Sequence, residues 1–210
     1  MNKKVTIIGI CGSLRENSFT RLALKCVLKE AENAGAETQF IDLREFNLVF
    51  CGAHRGDESD PYPDDVIRLR NLVKNAQGIV LGTPEYHGSF SGVLKNALDL
   101  MGFDEFEGKM LGLVGVSAGS LGANYAISTL RSVGRSMHAW VVPEQVSIPF
   151  VDQVFSSDGE LINEEVATKL KNLGRQVARF SYLHSSSDAQ EFIKAWEKAP
   201  NNPGANYSEK

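Results

Sequence analysis

Two patterns of apolar residues alternate along the chain. In the first, short continuous runs rich in β-branched residues predict strands that are buried on both faces of a parallel sheet. Five such strands are expected, at residues 4–10, 37–43, 77–83, 109–119 and 138–148.

In the second pattern, apolar residues recur every three or four positions, which predicts amphipathic helices. Helices are expected at 20–35 and 64–75, along the apolar stripes within 93–101 and 123–130, and from Asn163 to Phe180. Asn163 is a typical N-cap residue for the last helix, and Gly35 and Gly102 are expected to end two of the others.

Strands that alternate with helices form βαβ units, whose right-handed crossovers place helices on both faces of a parallel sheet. The sequence therefore predicts an α/β fold, a doubly wound five-stranded parallel sheet, in a domain at residues 1–184. Residues 185–187 are interpreted as a linker, and Phe192, Ala195 and Trp196 mark a short helix whose stripe packs on the domain or on a neighbouring subunit. The polar residues 200–210 are expected to be a mobile C-terminal tail.

Composition narrows the class of partner. A chain of 210 residues with 42% hydrophobic residues is long enough to bury about 70% of its unfolded surface in one core. Its formal net charge of -4 argues against nucleic acid or an anionic membrane surface as the main partner, so a small molecule is expected. The N-terminal apolar run breaks at Gly12, which predicts neither a signal peptide nor a membrane span and favours a cytoplasmic protein.

The three cysteines, Cys11, Cys26 and Cys51, are an odd number without metal-ligand spacing, so we expect neither a disulfide framework nor a metal site. Cys26 falls on the apolar stripe of a predicted helix and is interpreted as core. Cys11 opens the loop after the first strand.

That first loop, Cys11 to Leu22, carries hydroxyls, the cation of Arg15, a flexible Gly12 and a helix N-terminus. Free N–H groups and the helix dipole at such a position favour a phosphate. The spacing matches neither Walker A nor G-x-G-x-x-G, and a thiol phosphatase would need arginine where Asn17 stands. Cys11 is therefore expected to pack behind the loop. The alternative interpretation of the segment is a serine-capped helix after a turn.

A second loop lies within Val80 to Asn96, where a predicted strand turns into a helix. Pro84 is expected to end the strand, Gly88 to permit a tight turn, and Ser89 or Ser91 to cap the helix. Such a turn offers backbone N–H and C=O groups to a flat polar ligand. The third loop, Val116 to Asn124, is rich in glycine, which is also common in ordinary strand-to-helix loops. Each of the three loops follows a strand, and ligands of open α/β sheets bind at the carboxyl ends of the strands.

Two of these segments carry a family resemblance. The stretches GSLRENSFTRLAL and PEYHGSFSGVLKNALD resemble the signature segments of the NAD(P)H-dependent FMN reductase family, flavodoxin-like flavoproteins that include quinone, azo-dye and chromate reductases. The resemblance covers about residues 4–148. It implies a flavodoxin-like fold and FMN bound without a covalent link.

The resemblance also implies which residues contact FMN. It implies that the first loop binds the phosphate through Ser13, Arg15, Asn17, Ser18 and Phe19. The second loop is expected to contact the edge of the isoalloxazine ring through Pro84, Glu85, Tyr86, His87 and Gly88, and the third loop to line the other side of the flavin through Ser117, Gly119 and Ser120.

Three positions depart from the family pattern. His87 stands where the family commonly has Asn, Ser91 stands where Pro is frequent, and the third loop lacks the usual adjacent glycines. The last departure concerns contacts to the pyrimidine side of the flavin.

The implied function is an FMN-dependent oxidoreductase that passes hydride from NADPH or NADH to a small acceptor such as a quinone, azo compound, metal oxyanion or free flavin, in two steps at one flavin face. The flavin carries the chemistry, so no catalytic residue is required. His87 is a candidate hydrogen-bond donor to the acceptor, with the alternative that only its backbone matters. His54 and Arg55 are candidate contacts for the nicotinamide nucleotide phosphate, with the alternative that this His-Arg pair is an ordinary solvated surface.

A homodimer or homotetramer is expected from the resemblance alone. Two other functions stay open from the residues: a flavodoxin-type electron carrier without NAD(P)H activity, and a binding or sensor module for another nucleotide.

Overall fold

The computed structural model describes residues 4–199. Within these residues, six strands are formed: β1 (Thr6–Cys11), β2 (Glu37–Asp42), β3 (Gly78–Tyr86), β4 (Ser89–Phe90), β5 (Met110–Val116) and β6 (Trp140–Ile148). The same range contains seven α-helices: α1 (Phe19–Asn33), α2 (Asp64–Asn75), α3 (Gly92–Asp99), α4 (Phe103–Phe106), α5 (Asn124–Ser136), α6 (Glu164–Ser185) and α7 (Ser187–Glu197).

The main sheet has the order β2-β1-β3-β5-β6, and all of its pairings are parallel. The short β4 adds an antiparallel hairpin to the end of β3. This order confirms the predicted five-stranded, doubly wound, flavodoxin-like fold, with the order reversing between β1 and β3.

Side-chain alternation along the central strands divides the core into two layers. In β1, Ile7 and Cys11 join the cluster formed with α1 and α6, whereas Ile8 and Ile10 join the cluster formed with α2, α3 and α5. Because both faces of the strands are covered, the strands read as continuous apolar runs rather than as alternating ones.

Two boundaries differ from the sequence prediction. Pro84 does not end the strand: β3 continues through Tyr86. Pairing with β1 stops at Gly82, whereas pairing with β5 continues to Pro84, so the proline sits where one edge of the strand is already free. Gly102 does not end α3, which stops at Asp99; it is instead the N-cap of the one-turn helix α4.

The C-terminal segment also differs in detail. The predicted linker at 185–187 is reduced to Ser186, which ends α6 and caps α7. No residue of α7 is buried, and Phe192, Ile193 and Trp196 of its apolar stripe are exposed. The predicted mobile tail at 200–210 lies outside the described residues.

Candidate active site

The loops that follow β1, β3 and β5, together with the turn after β6, meet at one edge of the sheet. They enclose a cavity of about 330 Å³. Its lining comprises Ser13, Arg15, Asn17, Ser18, Phe19, Thr20, Pro84, Glu85, Tyr86, Val116, Ser117, Ala118, Gly119, Val151 and Asp152.

The first loop presents donors to this cavity. Ser18 caps α1 by accepting a hydrogen bond from the N–H of Arg21, and the Ser13 hydroxyl accepts one from the N–H of Arg15. Among the described residues, no hydrogen bond occupies the backbone N–H groups of 16–20. These free donors at a helix N-terminus, together with the guanidinium of Arg15, form a site for an anion.

A second arginine holds the first loop in shape instead of facing the cavity. Arg21 donates to the carbonyl oxygens of Arg15 and Glu16, at 3.1 and 2.6 Å, and to Asp42 at 2.7 Å. Burial on its own raises the pKa of Asp42, but hydrogen bonds from the N–H of Arg44 and from Arg21 outweigh burial and hold it below its usual range. Asp42 is therefore ionised and pairs with Arg21 at neutral pH.

The second loop is a β-hairpin. Tyr86 pairs with Ser89, and the two residues between them, His87 and Gly88, both have positive φ, 51° and 74°. Two consecutive positive φ angles are typical of a type I′ turn. Tyr86 remains 42% exposed, and the guanidinium of Arg15 lies 6.0 Å from the centre of its ring. The hairpin and the N-terminus of α1 are thus neighbours.

The third loop is fastened to the second. Glu85 Oε2 accepts a hydrogen bond from the N–H of Ala126 at 3.1 Å, in the first turn of α5. The hydroxyl of Ser147, from β6, accepts another from the N–H of Ala123. These bonds occupy the N–H groups of Ala123 and Ala126 at the start of α5 and hold the third loop against β3 and β6.

Most of the residues that sequence reasoning assigned to the site lie together. The cavity brings together Ser13, Arg15, Asn17, Ser18, Phe19, Pro84, Glu85, Tyr86, Ser117 and Gly119. The remaining three, His87, Gly88 and Ser120, do not line it. His87 and Gly88 form the exposed tip of the hairpin, and Ser120 is exposed in the third loop.

Sequence reasoning missed the contribution of the turn after β6. Val151 and Asp152 line the cavity there, and Phe150, with φ of 42°, turns the chain into it. The signal was available, because this turn follows the fifth parallel strand at the same sheet edge as the three loops that were considered. Thr20, Val116 and Ala118 were also missed, and each adjoins a residue that was assigned.

Cys11 and Cys26 both pack in or against the hydrophobic core. Cys11 is fully buried behind the first loop, and burial raises the pKa of its thiol. A buried, protonated thiol is a poor nucleophile, which agrees with Cys11 as a packing residue. Cys26 is partly buried and packs against the core. Within residues 4–199, no group of three or more His, Cys, Asp or Glu side chains could hold a metal ion.

A model of the NADPH-dependent FMN reductase family matches residues 5–153, which span every element that lines the cavity. The chain belongs to the NADPH-dependent FMN reductase family. It is therefore an enzyme of that family, as the two signature segments predicted.

Two named relatives are similar in sequence to most of this chain. The FMN-dependent NADPH-azoreductase of Staphylococcus saprophyticus is 33% identical over 176 residues, which covers 81% of this chain and 92% of the relative. The NADPH-dependent FMN reductase ArsH of Shigella flexneri is 32% identical over 184 residues, covering 85% of this chain and 69% of the relative. Among solved structures, the flavoenzyme NAD(P)H:(acceptor) oxidoreductase FerB of Paracoccus denitrificans shares the fold, with a TM-score of 0.68, 24% identity, and coverage of 86% and 98% of the two chains.

The long loop between β2 and α2 carries His54 and Arg55, the predicted nicotinamide nucleotide contacts, and neither residue reaches the cavity. His54 and Arg55 are absent from the lining, and His54 Nδ1 lies 2.7 Å from Asp60 Oδ1 while the N–H of Arg55 also donates to Asp60. In the part of the chain that the structure describes, no helix combines the length and apolar character needed to cross a membrane.

Proposed function

We propose that this chain is an FMN-dependent NAD(P)H oxidoreductase that reduces a small-molecule acceptor, in the class of quinones, azo compounds, metal oxyanions or free flavin. One observation carries the proposal: an anion site at the N-terminus of α1 and the end of β3 at Pro84–Tyr86 share one cavity. A ligand that has a phosphate at one end and a flat polar ring at the other fits this arrangement.

The residues present fit FMN. Arg15 and the free N–H groups of 16–20 would hold its phosphate, with Ser13 and Ser18 beside them. Phe19, Val116 and Val151 supply apolar wall, and Pro84, Glu85 and Tyr86 would contact the edge of the ring. Bound FMN would supply the redox chemistry, accepting a hydride from NADPH or NADH and passing it to the acceptor.

The protein's own part is to bind, orient and give access. Arg21 and Asp42 fix the shape of the phosphate-binding segment, and Glu85 fixes the third loop against the turn. The exposed ring of Tyr86 leaves room at the cavity for a planar second substrate. We infer that the nicotinamide nucleotide and the acceptor enter this space in turn.

The test is an anaerobic absorbance titration of the protein loaded with FMN, first against NADPH, then against NADH, and finally against a quinone. We expect the flavin absorbance to bleach with a nicotinamide nucleotide and to return with the quinone. Flavin that binds and never bleaches would instead favour a flavodoxin-type electron carrier, and a protein without flavin affinity would contradict the proposal.

The binding residues are tested separately with a double variant, Arg15→Ala with Ser18→Ala. We expect its FMN affinity to fall by about a hundredfold, because two or more contacts to a charged phosphate are lost. The matched control is Arg135→Ala with Ser132→Ala, which removes the same two residue types from the exposed surface of α5. Equal FMN affinity in wild type and the site variant would refute the assignment of the first loop.

A further inference from the structure

The two loops that would hold opposite ends of FMN are joined by a buried hydrogen-bond network. Its centre is Ser91, the N-cap of α3, which is only 1% exposed. The hydroxyl of Ser91 donates to the carbonyl oxygen of Gly12 in the first loop, at 2.5 Å, and accepts from the N–H of Leu94, at 3.2 Å. One side chain therefore caps α3 and holds a residue 79 positions away in the chain.

The backbone of Ser91 extends this network to β3. The N–H of Ser91 donates to Thr83 Oγ1 at 3.0 Å, and Thr83, directly before Pro84 in β3, is fully buried. Gly12 is held from its other side as well, since its N–H donates to the carbonyl oxygen of Gly82 at 2.8 Å. The start of the first loop is thus bonded to β3 and to the residue that opens α3.

Packing around Gly12 leaves little room for another position of the loop. A Cβ at Gly12 would lie 2.8 Å from Leu94 Cβ and 2.9 Å from the carbonyl oxygen of Gly82. Because these neighbours include backbone, the loop start can approach α3 this closely only as glycine. Directly after it, Ser13 lines the cavity and is 4% exposed.

We propose that Ser91 is a positioning residue that presets the first loop for the flavin phosphate and couples this loop to the end of β3, where Pro84, Glu85 and Tyr86 would contact the flavin ring. This inference rests on the proposed function. Both bonds depend on groups of Ser91 itself, the hydroxyl to Gly12 and the N–H to Thr83.

The mechanism is preorganisation. Without the Ser91 hydroxyl, the carbonyl of Gly12 loses a buried partner, and residues 12–18 gain freedom that phosphate binding must then remove. The end of β3 keeps its hairpin pairing with β4, and Glu85 keeps its hydrogen bond from the N–H of Ala126. The affinity for FMN should therefore fall more than the affinity for riboflavin, which has the ring without the phosphate.

The experiment compares wild type, Ser91→Ala and the control Ser186→Ala. Ser186 caps α7 by the same kind of contact, with the N–H of Ala189, so the control removes an N-cap hydroxyl far from the cavity. FMN and riboflavin affinities are measured by fluorescence titration. In Ser91→Ala we expect FMN affinity to fall by about tenfold, the effect of losing one buried hydrogen bond, and riboflavin affinity to stay within about twofold.

A second measurement needs no flavin. Amide hydrogen exchange on the flavin-free proteins should become faster at the hydrogen-bonded N–H groups of Gly12 and Arg15 in Ser91→Ala and stay unchanged there in Ser186→Ala. If Ser91→Ala does not fold, Ser91→Gly removes the same hydroxyl at an N-cap position that glycine tolerates and should show the same exchange pattern.

The outcomes separate the two proposals. Equal losses for FMN and riboflavin, or unchanged exchange at Gly12 and Arg15, would overturn the role of Ser91. Wild type that binds neither flavin would overturn the proposed function, and the exchange comparison would still decide whether Ser91 holds the first loop.

Discussion

Arg21 Nη2 lies 2.7 Å from Asp42 Oδ2, and the two side chains are 11% and 6% exposed. The same guanidinium donates to the carbonyl oxygens of Arg15 and Glu16. The pair thus links the end of β2 to the first loop, and the charge of Asp42 holds Arg21 where it can bind those carbonyls. Breaking a buried pair of this kind leaves one charge without its partner.

The first prediction concerns this pair. Asp42→Asn keeps the shape of the side chain and removes its charge, so we expect the free energy of unfolding to fall by about 3 kcal/mol. Urea denaturation of the flavin-free protein measures it. Glu165→Gln is the control, because it removes the carboxylate of the exposed pair with Lys169 on α6 and should change stability little. A loss in Asp42→Asn no larger than the control's would show that the pair does not support the loop.

The pH dependence of the same contribution has a definite sign. The pKa of Asp42 is lower in the folded state than in the unfolded chain, so the folded state holds the proton less tightly. Its stabilisation is fully present above the unfolded pKa of about 3.9 and is lost as pH falls through the lower folded value. The difference in stability between wild type and Asp42→Asn should therefore be constant from about pH 5 upward and shrink only below about pH 4.

The second prediction concerns the tip of the hairpin. His87 adopts φ of 51° in a two-residue turn followed by Gly88, a conformation that Asn-Gly prefers. His87→Asn should leave the free energy of unfolding unchanged or raise it. His87→Val should lower that free energy by about 1–2 kcal/mol, because a β-branched residue is strained at positive φ.

Turnover of His87→Asn tests whether the His87 imidazole donates a hydrogen bond to the acceptor. The side chain is exposed and does not line the cavity, so we expect His87→Asn to reduce a quinone at the wild-type rate. A large loss of turnover in His87→Asn with normal FMN affinity would instead assign the imidazole a part in acceptor binding or protonation.

How far the sequence predicted the site depends on the range of each interaction. The first loop could be predicted because hydroxyls, a cation and a helix start lie within a dozen residues after a strand. The contact of Glu85 with the N–H of Ala126 spans 41 positions, so no local pattern reveals it. The sequence did indicate that Ser89 or Ser91 caps α3, but the bond from Ser91 to Gly12 depends on how β1 and β3 pair.

The fold was easier to predict for a physical reason. A parallel sheet covered on both faces forces long apolar runs, and each run in the central strands was visible by itself. The strand boundaries near Pro84 and the start of α4 at Gly102 were missed because they depend on which neighbouring strand or helix ends first. The exposed stripe of α7 shows the same limit, since periodicity predicts a helix and not what covers it.

The third prediction concerns Glu85 as a cap supplied from another strand. Ala123, the N-cap of α5, makes no side-chain capping bond, and the Glu85 carboxylate accepts from the N–H of Ala126 in its place. Glu85→Ala should lower the stability of the flavin-free protein by about 1 kcal/mol, the usual effect of losing an N-cap. Glu85→Gln keeps an oxygen acceptor at the same length and should lose less than half as much. Equal losses in the two variants would contradict a capping role.

The fourth prediction concerns Lys109 at the opposite edge of the sheet. Its Nζ donates to the carbonyl oxygens of Val73 and Lys74 at the end of α2, at 2.6 and 2.7 Å. Burial lowers the pKa of Lys109 to about 8, although Glu105 nearby acts in the opposite direction. The neutral amine still has two N–H donors, so both hydrogen bonds can persist after the proton is lost.

The sign of the effect follows from proton binding. Between pH 8 and the unfolded pKa of about 10.4, the unfolded chain holds the proton of Lys109 and the folded protein does not, so raising the pH favours the folded state at this residue. Lys109→Met removes the group and its pH dependence. The stability of wild type relative to Lys109→Met should therefore increase from pH 7.5 to about 10, because groups common to both proteins cancel in the difference. Urea denaturation across this range measures it, and a difference that stays flat or decreases would show that the ammonium is not penalised in the folded protein.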